Sequence, residues 1–455
     1  MYSDLKYLSV PLPEDLEKLK WFGDFARMER VIDLKLANAS LPLALRKRLE
    51  LEKEIIRLMP GEYPFTAEEA LQRLREVFGD FTAEELDSLR DQDAVEWAYI
   101  NGELRFKDNF LSNLIKTRAQ YALRVRDHHR LTYAEHNAAL LTDAVAKMKN
   151  QGGMGMRFHM KSTMTLRPGR ENAGREATVW LPIPIEYAQV KNFKILSLSH
   201  PNAVVSPEDF PQRTVCFHGP ADENRPFSVE YEYETHMRYI KPDPALVTDS
   251  QPTFYTEEYA PHIRFTPYLK ALAAEITSGE KNPLIAARKI YDFITTRVMY
   301  SYMRAYMTMP MVPEYCATSL KGDCGVQALL FITLCRICGI PARWQAGLYV
   351  EPLDVGSHDW TQFYVAPYGW LFADPSFGGS AWRAGAKERW DFYFGNLDPY
   401  RMPANSEYQH DFFIPARFLR HDPYDNQQGE AEYQEGPVPS AERETEHDLL
   451  HYKEI

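Results

Sequence analysis

The chain has 455 residues, enough for roughly two to four domains with sizeable cores. Its 45% apolar and 25% charged content is that of a soluble globular protein. The formal net charge of −12 argues against nucleic acid and against an anionic membrane surface as partners.

Residues 1–155 read as a mostly helical domain with a hairpin near 96–106. Phe-Thr-Ala-Glu-Glu occurs at 65–69 and again at 81–85. Each copy supplies a capping box, Thr66 with Glu69 and Thr82 with Glu85, ahead of an apolar-periodic run. Glu96–Phe106 then turns at Asn101-Gly102 as a hairpin. Helices followed by a hairpin suggest a winged-helix-like unit; the acidic surroundings favour a packing or lid role over nucleic-acid binding. His128, His129 and His136 lack a carboxylate cluster and read as a solvated helix face. Gln151–Met156, rich in glycine, reads as a linker. The first residues lack a basic start followed by an apolar core, so no secretory signal is expected.

Residues 156–240 change to clusters of β-formers separated by turn residues, an all-β sandwich pattern. Cys216 falls in one such strand as a buried spacer.

Residues 241–400 open through a Pro-rich link. Asn282-Pro283 starts a helix, and a second helix follows the loop-like Lys321-Gly-Asp-Cys-Gly325. That second run is nearly uncharged and stops at Gly339, with Pro341 just beyond. A strand over 342–350 and a hairpin, 358–365 with 370–374, complete an α+β domain. Within Phe394–Arg401, an Asx turn with an Asp398–Arg401 pair is expected.

Residues 401–455 form an acidic C-terminal extension. Its last 35 positions hold ten acidic and two basic side chains, −8 of the total charge, and read as a solvated tail. Asp422–Glu430 has the look of a calcium loop, but its spacing fits a structured turn better.

The five cysteines, at 216, 316, 324, 335 and 338, are too few and too odd for a disulfide framework, and a reducing cytoplasm is the expected location. Cys335-Arg-Ile-Cys338 has half-zinc-site spacing, but no second pair follows. It reads as core packing, with neither metal nor other cofactor expected.

Cys324 is the best functional lead. A thiol at a helix start feels free N–H groups and the positive end of the dipole, which lowers its pKa, more so with a histidine partner. His358 and Asp374 follow in strand-like settings, giving a nucleophile, a base and an orienting acceptor. A hairpin register with Asp374 opposite Trp360 puts Asp374 and His358 on one sheet face; a slip of one residue would separate them.

Lys321-Gly-Asp-Cys324-Gly, Leu334-Cys-Arg-Ile-Cys-Gly-Ile-Pro-Ala-Arg343, His358-Asp-Trp360 and Gly369-Trp-Leu-Phe-Ala-Asp-Pro375 together resemble the transglutaminase-like superfamily. The likeness covers about 284–380, and more loosely the β region at 157–240, which resembles the sandwich of bacterial multidomain members. It implies a papain-like cysteine core preceded by the sandwich and the helical domain. By the same resemblance Cys324 is the nucleophile, His358 the general base and acid, and Asp374 the orienter. The implied reaction is acyl transfer at an amide through a thioester, on a peptide, protein or glycopeptide, with hydrolysis favoured over cross-linking. The alternative is a catalytically silent module that holds a peptide or glycan.

The papain-like glutamine six residues before the cysteine is missing, since Thr318 stands there. Besides the Cys324 N–H, Tyr302 or Tyr300 is therefore the expected second oxyanion donor. Trp360 and Trp370 are expected to wall the site. Arg336 and Arg343 are expected to pair structurally rather than to touch substrate.

Overall fold

The computed structural model describes residues 2–125 and 128–455, and the expected α+β organisation is present. His128 and His129 lie outside the residues whose side chains are described; His136 is exposed.

Helices Glu14–Phe22, Phe25–Leu36 and Leu43–Glu62 form the first layer. The winged-helix-like unit follows: helices Ala67–Phe78 and Ala83–Asp91, then the hairpin of Trp97–Ile100 and Glu103–Phe106, which Phe65–Thr66 extends to three strands. The hairpin turns at Asn101 and Gly102, both at positive φ, as a tight two-residue turn requires. The Thr66 capping box is complete. At Thr82 only the Glu85 N–H bond forms, because the Glu85 carboxylate is taken by Tyr121 and Arg124. Phe81, Phe106, Phe110 and Leu114 give this unit its own core.

The linker expected at 151–156 is a single turn. Helix His128–Gln151 ends at Gly152 (φ +80°), and the strand Gly153–Leu166 begins at once. Strict alternation of buried and half-buried residues along that strand marks one face as core.

The sandwich has two four-stranded sheets. One orders Arg443–Glu454, Gly153–Leu166, Phe227–Arg238 and Val190–Leu198; the other orders Glu430–Tyr433, Glu176–Pro182, Thr214–Pro220 and Val204–Val205. The acidic extension is thus no solvated tail: it contributes a strand to each sheet. Ala431 and Tyr433 bury their side chains, while charges alternate outward along 443–454. The period-2 pattern was present in the sequence, and net charge concealed it. Residues 401–405, assigned to the extension, are the last strand of the core sheet.

That sheet is antiparallel throughout, in the order Phe394–Gly395, Gly369–Ala373, Asp354–Val365, Ala342–Glu351, Arg401–Asn405. The helix Cys324–Ile337 covers one face, with Phe331 meeting Phe363 edge-on at 5.8 Å. The helix is buried from Gly325 to Arg336, which explains its lack of charge. Backbone bonds fasten the Arg401–Asn405 strand to the sandwich: Ile185 N–H to Pro403 at 2.8 Å and Arg213 N–H to Ala404 at 3.0 Å. Among the described residues, no helix is long and apolar enough to cross a membrane.

Phe331 is fully buried between helix and sheet. Phe331→Ala should lower unfolding stability by about 3–5 kcal/mol in urea denaturation, the cost of an aromatic cavity.

Candidate active site

Asp323 caps the Cys324 helix. Its carboxylate accepts the Val326 N–H at 3.0 Å and the Tyr306 hydroxyl at 2.6 Å. Cys324 is therefore the first helical residue, and among the described residues its N–H and that of Gly325 have no partner. Gly325 is required by close approach rather than by φ. A Cβ there would run into the Tyr306 hydroxyl and would lie 2.7 Å from Asp359 Oδ2 and 3.0 Å from the Trp344 ring.

The hairpin register is the one that brings His358 and Asp374 together. Thr361 lies opposite Ala373, which continues to Trp360 opposite Asp374. His358 Nε2–H donates to Asp374 Oδ2 at 2.8 Å, leaving Nδ1 as the free ring nitrogen. Asp374 then caps the next helix, Pro375–Arg383, through the Phe377 N–H, so the end of the strand doubles as a helix start. Trp360 stacks on the imidazole at 5.9 Å and donates its indole N–H to Gln345; Phe377 packs on the other side at 4.6 Å.

Arg401 underlies this pair, and sequence reasoning missed its role. The guanidinium is fully buried and donates to Asp374 Oδ2 at 2.7 Å and to Asp398 Oδ2 at 2.7 Å. The Asx turn and the Asp398–Arg401 pair are present as expected. Their reach to Asp374 was not legible, because it depends on the last core strand joining the sheet that carries His358 and Asp374. Burial opposes ionisation of Asp374, yet His358 and Arg401 hold its carboxyl well below the usual range. Burial pushes the His358 pKa down, and Asp374 recovers part of the loss. One guanidinium serves two carboxylates, and the surplus negative charge favours an imidazolium when a proton arrives.

The Cys324 sulfur meets a different group. Its S–H donates to Asp359 Oδ2 at 3.3 Å; among the described residues no hydrogen bond joins it to His358. Asp359 follows His358 on the strand and faces the opposite side, toward the helix. The low thiol pKa expected from the helix dipole is not found. Burial, then Asp359 and Asp323, drive it well above the ordinary value. Asp359 is itself raised, first by burial and then by Asp323, with Asp425 beside it; burial also lifts Asp323 to about 6. The segment after the core covers this cluster: Gln427 Nε2 donates to Asp359 Oδ1 at 2.6 Å and to the His358 carbonyl at 3.1 Å. The Asp422–Glu430 stretch is a structured turn, as expected, with Asp422 accepting the Tyr424 N–H at 2.9 Å.

The two tyrosine rings meet edge-on at 5.9 Å, and Lys116 Nζ lies 4.5 Å from each. Burial and then the Cys324 sulfur raise the Tyr300 pKa. The Tyr302 hydroxyl also accepts from Lys116 Nζ at 3.0 Å, a contact with the N-terminal domain. The same domain grips the flanks of the site through Arg304–Glu96 at 2.8 Å and Lys321–Asp93 at 2.6 Å. Trp370 does not wall the site. It lies farther along the same sheet face, beneath Arg343, which stacks on it at 3.8 Å and has no carboxylate partner among the described residues. Arg336 holds the carbonyls of Ala342 and Glu257, a structural role. Cys216, Cys316 and Cys335 are buried in packing.

With this geometry in view, residues 270–375 match the model of the Transglutaminase-like superfamily. Residues 270–375 are a transglutaminase-like core. The matched stretch contains Cys324, His358 and Asp374. No curated protein matches the chain. Among solved structures, one from Cytophaga hutchinsonii, whose description as a cysteine protease is provisional, is similar at 15% identity. The match covers 67% of this chain and 90% of that one, with a TM-score of 0.36. The periplasmic domain of TgpA from Pseudomonas aeruginosa is similar at 15% identity over 55% of this chain and 94% of that one, with a TM-score of 0.29. At these values nothing about reaction or substrate passes from those proteins to the transglutaminase-like core.

Arg401→Met leaves the buried Asp398 without a cation and Asp374 with His358 alone. It should cost about 3–5 kcal/mol in urea denaturation. Asp359→Asn tests the acid cluster. A raised folded carboxyl contributes fully below its unfolded pKa of about 4, and that contribution is lost as pH rises through the folded value. The variant should therefore gain stability over the parent progressively from pH 4 to pH 8; a pH-independent difference in urea midpoint would rule this out.

Proposed function

We propose that the protein catalyses cysteine-dependent acyl transfer at amides, with a peptide or protein as substrate and water as the acceptor. The observation that carries this reading is the buried His358–Asp374 pair, locked by Arg401, on the strand whose next residue, Asp359, holds the Cys324 sulfur from the opposite face.

The Cys324 sulfur, bonded to Asp359 on the helix side of the sheet in this conformation, must leave that carboxylate and swing round the end of the sheet before it can give its proton to His358 Nδ1. The thiolate attacks the amide carbonyl, and the C=O π pair moves to oxygen. The unpartnered Cys324 N–H and the Tyr300 hydroxyl receive that oxyanion. The C–N bond breaks as the imidazolium protonates the leaving amine, which yields a thioester. A water molecule, deprotonated by His358, attacks the thioester carbonyl, and the sulfur leaves and recovers its proton. Asp374 holds the ring in the tautomer this cycle needs and stabilises its cationic form. Water is taken as acceptor because no feature of the site selects an amine.

One observation favours a second reading, a silent binding module: the thiol is bonded to Asp359 and its pKa is raised. The two readings part in a lysate incubated with the protein and with Cys324→Ala. New peptide termini that fall by about a thousandfold or more in the variant establish hydrolysis. Crosslinked Lys–Gln pairs would mean transfer to an amine. Identical proteomes, with an ordinary thiol titration in iodoacetamide kinetics, would establish the silent module.

A further inference from the structure

A cleft of about 980 Å³ separates the sandwich from the core sheet, on the face opposite the Cys324 helix. Its core wall carries Arg343 and Gln362, cross-strand partners on the His358 side of the sheet. Its sandwich wall carries Lys191, His236 and Arg238. The volume suits an organic ligand, and domain interfaces are a usual place for such sites.

The charge in this cleft runs against that of the chain, which totals −12. Among the described residues, Arg343, Lys191 and Arg238 have no ion pair. The acid on the rim, Glu454, is engaged by Lys147 at 3.1 Å. Lys191 sits opposite Glu234 in the sheet, but that carboxylate is occupied by Arg157 at 2.6 Å and His236 at 3.0 Å. Arg343 is held for presentation: Nε donates to Gln362 Oε1 at 2.9 Å and the plane lies on Trp370, so the two remaining nitrogens of the fork stay free for a ligand. Gln362 also accepts the Tyr187 hydroxyl at 3.0 Å, which orients its amide N–H₂, and that group donates to no described residue.

We propose that this cleft binds an acidic peptide segment, its carboxylates held by Arg343, Lys191 and Arg238 and a backbone carbonyl by the Gln362 amide. The space exceeds what a single inorganic anion fills. An acidic glycan fits less well, because Arg343 already covers a face of Trp370, the large ring a sugar would stack on. The proposal is independent of the chemistry assigned to Cys324.

Fluorescein-labelled hexaglutamate, titrated by anisotropy into the full chain carrying Cys324→Ala, tests it without turnover. Saturable binding that weakens with salt is expected. Arg343→Gln should weaken it by at least about tenfold, the usual loss for one partner of a buried charge pair. The double change Lys191→Glu with Arg238→Glu should abolish it. Both of those residues are exposed, so this arm does not depend on refolding of a core. Lys270→Gln, on an exposed helix elsewhere, should leave binding unchanged. Absence of saturable binding, full affinity in the double variant, or binding of an oligouronate in place of hexaglutamate would overturn the proposal.

Discussion

A guanidinium with no access to water, shared between two carboxylates, is the constraint on which the His358–Asp374 geometry depends. Arg401 is fully enclosed and its charge has no solvent to fall back on. Asp374 and Asp398 must therefore stay where they are, and removal of either would leave charge in a medium that cannot hold it. Asp374 in turn fixes His358. The strand that carries Arg401 is fastened by its backbone to the sandwich, so the orientation of one imidazole ring is tied to a domain that contributes no reacting atom. Three parts of the chain, far apart in sequence, thereby become one rigid support.

The thiol end of the site is built on the opposite electrostatic principle. The helix dipole and two free N–H groups invite negative charge at Cys324, yet two aspartates, 323 and 359, act on it in a poorly solvated pocket, with Asp425 beside Asp359. Burial and the acids outweigh the dipole, as expected from their relative reach: a helix end contributes less than about 2 kcal/mol, while burial alone shifts a titration by up to several units. In the conformation described the thiol is bonded to Asp359, and Gln427 holds that carboxylate in place.

Much of the site was legible because it is written in short, local signals. Asp323 before an uncharged run marks a cap, Asp374-Pro375 marks a second, and the alternation of His358, Trp360 and Gln362 marks a common sheet face. The hairpin register was one of several the turn at 366–369 allowed, and the one assumed, Asp374 opposite Trp360, is the one observed. What could not be read depends on contacts between segments that carry no joint signal. Arg401 seemed complete with Asp398 three residues away, although its second partner is twenty-seven residues off. Asp359 hid behind its neighbours in a motif defined by the residues on either side. The C-terminal segment misled through composition: ten acids in its last 35 residues suggested solvation, although 443–454 alternates its charges and so satisfies a strand edge and water together. Trp370 misled through proximity to the motif, since it stands on the wall of the cationic cleft.

The pairing of Arg443–Glu454 with Gly153–Leu166 has a temporal meaning. On the ribosome, residues 153–166 emerge long before the strand that completes their sheet, and the sheet waits with an open edge while the whole core is translated. Gln427, which seats Asp359, leaves the tunnel in the same late interval, just ahead of both missing strands. The thiol's final surroundings and closure of the scaffold thus fall together at the end of synthesis. A chain ending before residue 427 would hold the residues of the His358–Asp374–Arg401 support but lack the Gln427 bond that seats Asp359.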